Sequence, residues 1–101
     1  MAETIDEITM TFEDEEGVLL VKELEKVVLT KGAWATLMFK YQNLDKKTGE
    51  FGEPKYAIRR YQKVAGEYRS KSKFNISSIK QAKMIVDALN TWIEADSKEE
   101  E

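Results

Sequence analysis

Apolar and polar residues alternate through most of the middle of the chain, and the alternation stops near residue 77. In "AWATLMFKYQ" (33–42) the odd positions Ala33, Ala35, Leu37, Phe39 and Tyr41 are apolar, while the even positions Trp34, Thr36, Met38, Lys40 and Gln42 are mixed. A period of two predicts a half-buried antiparallel strand. "KYAIRRYQK" (55–63) and "YRSKSKFNI" (68–76) alternate in the same way, with a short turn around Gly66 between them. Upstream, "GVLLVKELEKVVLT" (17–30) places Val18, Val21, Leu24 and Val28 at helical spacing. Its β-branched content and the following Lys31 and Gly32 nevertheless predict a strand that enters a hairpin. "LDKKTGEFGEP" (44–54), with two glycines and the only proline, is the clearest loop.

The last third changes period. "SSIKQAKMIVDALNTWI" (77–93) puts Ile79, Ala82, Ile85, Val86, Leu89 and Ile93 on one helical stripe, and Ser78 with Gln81 forms a capping box at its start. Met84, Ala88 and Trp92 add a second apolar stripe, so Lys80, Lys83, Asp87, Asn90 and Thr91 are confined to a polar arc of about 100°. One sheet cannot cover so wide an apolar surface. A second copy packed around a two-fold axis, with Met84, Ala88 and Trp92 in its interface, is the expected cover; the N-terminal segment folded over the helix is the alternative. Residues 1–17 read as a loose acidic arm with a short strand at "ITMTF" (8–12), and "EADSKEEE" (94–101) reads as a disordered acidic tail. The domain proper is therefore expected at 18–93.

Composition narrows the function. A chain of 101 residues, 42% hydrophobic and 35% charged, holds one core. No apolar run approaches the ~20 residues of a membrane span, and the acidic start "MAETIDEI" is unlike a secretory leader, so a cytoplasmic, membrane-free protein is expected. The chain has neither cysteine nor histidine. That removes disulfides, ordinary zinc sites and the usual Ser–His and Cys–His nucleophiles, and no enzyme activity, metal or cofactor is expected. Asp14, Glu15 and Glu16 lack a glycine-spaced cation loop, "DKKTGEFGE" (45–53) lacks calcium-ligand spacing, and "TGEFGE" lacks the lysine of a phosphate loop.

Charge changes the picture most. The net charge of −3 conceals −7 in residues 1–17, +8 in 18–93 and −4 in 94–101. The positive charge gathers in "KYAIRRYQKVAGEYRSKSKF" (55–74), where seven cations and four aromatic rings accompany a single acid, Glu67. A basic body implies an anionic partner, nucleic acid first. Strand parity sorts the faces: if Tyr56, Ile58, Tyr68, Phe74 and Ile76 face the helix, then Lys55, Arg59, Tyr61, Lys63, Arg69, Lys71 and Lys73 face outward. Trp34, Met38 and Lys40 of the preceding strand are expected on that outward face. Arg60 falls on the inward side and is expected to reach the sheet edge or an acid across the dimer. Cations that follow phosphates beside rings that stack on unpaired bases suit a single strand, and a sheet face offers no helix for the major groove. RNA fits the same chemistry. A solvated lysine face is the bland alternative, and an adaptor whose basic face binds an acidic protein is a second function, which would bury Trp34 and Tyr61 in the core.

These residues carry a resemblance. The order strand–strand–strand–strand–helix, with "GEPKYAIRRY" on the third strand and "KSKFNISSIKQAKMIVDAL" joining the fourth to the helix, resembles the positive cofactor four family over residues 20–93. Its members are transcription coactivators, with single-strand-binding relatives in bacteria and phages, the latter looking more similar. The resemblance implies an α+β fold in which a curved four-stranded antiparallel sheet precedes a C-terminal helix, dimerisation through that helix, and single-stranded DNA bound with little sequence preference in replication, recombination, repair or transcription. It implies contacts from Lys55, Arg59, Tyr61, Lys71 and Lys73, with Trp34 and Lys40 beside them. The acidic tail then suggests contacts with replication or transcription proteins, or competition with DNA. The long 44–54 loop and the acidic arm depart from the family pattern.

Overall fold

A computed structural model describes residues 3–99; the outermost two residues of the expected arm and of the expected tail lie outside the described residues. A short 3-10 turn (Ile5–Glu7) leads into β1 (Phe12–Glu13), β2 (Leu19–Thr30), β3 (Trp34–Asp45), β4 (Glu50–Phe51), β5 (Lys55–Val64), β6 (Glu67–Ile76) and the helix α1 (Ile79–Glu99). The sheet is antiparallel throughout, in the order β1-β2-β3-β5-β6, and β4 folds back onto the end of β3. The fold is α+β, a curled antiparallel sheet followed by one C-terminal helix. Three of its four long strands lie in the segments whose alternation predicted them, and β2 lies in the 17–30 segment predicted from its β-branched content. The two additional short strands come from the arm and from the 44–54 loop, so the expectation of four strands undercounts the sheet.

Turn chemistry sets the hairpins. Ala65 (φ 53°) and Gly66 (φ 82°) are both left-handed, which is the two-residue turn whose twist matches that of the flanking strands β5 and β6. In the 44–54 loop, Asp45 accepts from the Lys47 and Gly49 amides, one through its side chain and one through its carbonyl, and this closes the chain into the β3–β4 hairpin. The expected acid cluster resolves as a turn too: the Asp14 carboxylate accepts from the amides of Glu16 and Val18, each at 2.9 Å, and steers the chain into β2.

One face of the sheet is closed by the N-terminal arm. Ile8, only 4% exposed, sits among Ala35, Leu37, Phe39 and Tyr68, with Ile5, Met10 and Tyr61 packed around the cluster. Two β2 side chains hold the arm in place. The Lys26 ammonium donates to the carbonyls of Ile5 and Ile8, both at 2.8 Å, and the Glu23 carboxylate accepts from the Thr9 hydroxyl and the Met10 amide. A register shift between Glu23 and Glu25 brings residues 23 and 26, of opposite parity, onto this one face. The arm is thus an integral layer of the core rather than a loose segment, and it covers the sheet rather than the helix. Tyr68 adds a clamp, its hydroxyl donating to the Gly32 carbonyl at 2.9 Å from two strands away.

The helix begins as its sequence predicts. The Ser78 hydroxyl accepts from the Gln81 amide at 3.0 Å, and the Gln81 side-chain oxygen accepts from the Ser77 amide at 2.8 Å. From there α1 diverges from expectation. Its main contact with the sheet is with β6, and it leaves Phe74 51% exposed rather than covered; Met84 (63% exposed) and Trp92 (64% exposed) stand free of the sheet. The radius of gyration, 16.5 Å, exceeds the ~13 Å of a compact chain this long because the helix stands away from the body. Residues 94–99, expected to be disordered, continue the helix to Glu99. No helix among the described residues is long and apolar enough to cross a membrane.

Because Ile8 is a buried member of the core cluster, Ile8→Ala should lower the unfolding free energy by about 2–4 kcal/mol. Urea denaturation checks this; a loss below about 0.5 kcal/mol would mean that the arm is not part of the folded core.

Candidate nucleic-acid interface

Cross-strand register assigns the paired side chains of the basic segment to faces. On the open face, Trp34, Gln62 and Arg69 form one row; Thr36, Arg60 and Ser72 the next; then Met38, Ile58 and Phe74; then Lys40, Tyr56 and Ile76. On the arm face the rows are Ala35, Tyr61 and Ser70; Leu37, Arg59 and Lys73; Phe39, Ala57 and Asn75; with Tyr41 opposite Lys55 and Lys63 opposite Tyr68.

This corrects the expected sorting in two places. Trp34, Met38 and Lys40 lie opposite even-numbered β5 residues, so they do not share a face with Lys55, Arg59, Tyr61 and Lys63. Alternation shows which residues of one strand belong together, but the connection sets the register between strands, and a shift of one residue exchanges the faces. The second error lies in β6. A bulge opposite the Arg60–Tyr61 step makes Lys71 an extra residue, so parity reverses across it: Lys73 lies on the arm face and Arg69 on the open face. Tyr68 is buried as expected, but on the face opposite Phe74. The nine expected contacts therefore divide: Trp34, Lys40 and Arg69 lie on the open face, Lys55, Arg59, Tyr61, Lys63 and Lys73 on the arm face, and Lys71 at the bulge of the edge strand.

The open face carries the accessible rings. Trp34 is 41% exposed, and the Arg60 guanidinium lies over its ring, 4.7 Å from the centroid. Arg60 therefore neither reaches an edge nor meets an acid; it stacks on a neighbouring-strand ring, a contact favoured by the planar, weakly hydrated guanidinium. Phe74, expected to face inward, is 51% exposed on this same face. Lys40 meets Glu25 at 3.8 Å in an exposed cross-strand pair, which leaves the lysine largely free for another anion. Beside them Val27, Met38 and Tyr56 line an open apolar hollow of about 220 Å³. Arg60 and Phe74 are the members of this site that parity reading missed, since both had been assigned to the interior.

The arm face is more constrained. The Arg59 guanidinium donates to the Asn75 side-chain oxygen at 2.8 Å, and the Lys63 ammonium lies 5.4 Å from the centroid of the Tyr68 ring. Tyr61 is half-buried against the Ile8 cluster, and burial raises its phenol above the ordinary value of 10.0, although the nearby Arg59 charge opposes the shift. A ring packed in this way supports the core and does not present a stacking surface. No group of three or more acidic residues that could hold a metal ion occurs among the described residues.

No protein-family model matches the chain, and neither a curated protein nor a solved structure matches it.

The Tyr61 shift has a definite sign. The folded state holds the phenolic proton more tightly than the unfolded chain, so this contribution to stability is complete below pH 10.0 and is lost as the pH rises through the raised value. Stability measured by urea denaturation should fall in that alkaline range, and Tyr61→Phe should remove this part of the decline.

Proposed function

We propose that the protein is a non-enzymatic single-strand-binding protein, specific for exposed nucleic acid rather than for a sequence, with DNA as the first ligand and RNA chemically compatible. The observation that carries this reading is Trp34, left accessible on a strand face with the Arg60 guanidinium stacked beside it and Arg69 in its row. The Arg60 guanidinium covers part of the indole, yet Trp34 remains 41% exposed, and an unpaired base supplies a partner for the surface left in water. Each base–ring stack contributes ~1–3 kcal/mol, while Arg60, Arg69 and Lys40 provide the phosphate contacts. Phe74 offers a second ring on the same face. Lys55, Arg59, Lys63, Lys71 and Lys73 extend the positive field around the sheet edge, where they attract and steer the strand more than they read it. The accessible Trp34 also favours this reading over the acidic-protein adaptor, which calls for both Trp34 and Tyr61 in the core.

The same reading includes a homodimer assembled through α1, in the cytoplasm and at work where single strands are exposed in replication, recombination, repair or transcription, with the acidic end of the helix available to proteins of those processes. Support for the dimer lies in the helix itself: Met84, Val86, Leu89, Trp92 and Ile93 are all exposed, and the chain's own sheet does not cover them. A second copy of the helix provides the matching apolar surface.

Fluorescence titration should give tighter binding of oligo-dT than of duplex of equal length, with log K falling by ~0.7 per phosphate neutralised as log salt rises. Trp34→Ala should weaken binding about ten-fold with an unchanged salt slope, whereas Arg69→Ala should lower the slope by somewhat under one unit. Equal affinity for single strand and duplex would refute the reading. Sedimentation equilibrium should show a dimer that Trp92→Asp converts to monomer.

A further inference from the structure

The arm and the cations of the arm face share a cavity. Glu3, Thr4, Ile5 and Asp6 form one wall of a pocket of about 380 Å³, and Val28, Lys31, Lys63 and Tyr68 form the rest. Two acids and two lysines thus line one open pocket, and both acids are exposed. What holds the arm there is independent of those acids: Ile8 is seated in the core, the Lys26 ammonium grips main-chain carbonyls, and the Glu23 carboxylate receives Thr9 and Met10. The carboxylate of Glu7 is occupied locally, accepting from the Thr4 hydroxyl at 3.1 Å. The fold therefore fixes negative charge beside the Lys63 end of the basic segment without using that charge as the fastening.

We propose that the arm is a tethered electrostatic competitor, whose Glu3 and Asp6 lower the affinity of the Lys31–Lys63 end of the sheet for a polyanion and confine a bound strand to the Trp34 side. The inference rests on the single-strand reading above and adds regulation to it. Exposed charges that are not in contact interact through a screened field, so the competition should be strong at low salt and fade as added salt shortens the Debye length. A strand that stacks on Trp34 and Phe74 can bind without displacing the arm, because those rings lie on the other face.

The test is the double variant Glu3→Gln with Asp6→Asn, which leaves every fastening of the arm in place. Amide exchange at Met10, whose N–H donates to the Glu23 carboxylate of β2 at 3.1 Å, verifies that the arm stays docked in the variant. Oligo-dT affinity should rise about three- to ten-fold over wild type at about 50 mM salt and converge with it near 0.3 M, at roughly the range where surface fields are screened. Wild-type affinity in the docked variant at both salts, or an equal gain at both, overturns the competitor while the single-strand reading stands if oligo-dT still outcompetes duplex. Absence of any oligo-dT preference in the wild type overturns both.

Discussion

Ile8 occupies the floor formed by Ala35, Leu37, Phe39 and Tyr68, and the side chains of Lys26 and Glu23 hold the flanking backbone against β2. Once that knob is seated, one face of the sheet becomes interior and the other is left open. The consequences spread across the molecule. Tyr61 turns from a candidate stacking ring into a supporting wall, Lys26 is withdrawn from the pool of free cations, and Trp34 remains the accessible indole of the sheet. Burying a segment this acidic is feasible because its apolar residues Ile5, Ile8 and Met10 point to the sheet, while Glu3, Asp6 and Glu7 stay in water.

The charge pattern follows from the same arrangement. A chain that is acidic in total nevertheless presents cations on both faces and along the free edge of β6, because the negative charge is concentrated in its two ends. A basic edge strand also resists pairing with its own kind, since two copies of Arg69, Lys71 and Lys73 would be brought together. The largest run of exposed apolar side chains among the described residues lies instead on α1. A helix of 21 residues whose main contact with the sheet is with β6, and whose apolar residues from Val86 onward are exposed, has little tertiary packing to stabilise it, and most helices depend on such packing.

Much of the architecture was legible in the sequence. The alternation in 33–42, 55–63 and 68–76 located three long strands, the turn signals at 31–32 and around Gly66 located two hairpins, and Ser78 with Gln81 marked the helix start. The ambiguous 17–30 segment resolved as a strand through its β-branched residues. These signals are local, since each depends on the conformational preference of a few neighbouring residues. The short strands β1 and β4, by contrast, have almost no periodicity to detect; they form because longer strands offer them partners.

What the sequence determined alone is therefore the list of elements, the concentration of charge in 55–74 and the surplus of apolar surface on the last helix. What the tertiary structure decided is which side chains meet: that Arg60 stacks on Trp34, that Arg69 joins their face while Lys73 leaves it, and that the acidic arm covers the sheet. The reason is that facing depends on register. Register is set by the length of the 44–54 loop, by the extra residue at Lys71 and by the seating of Ile8, and a period-two pattern contains no record of any of these.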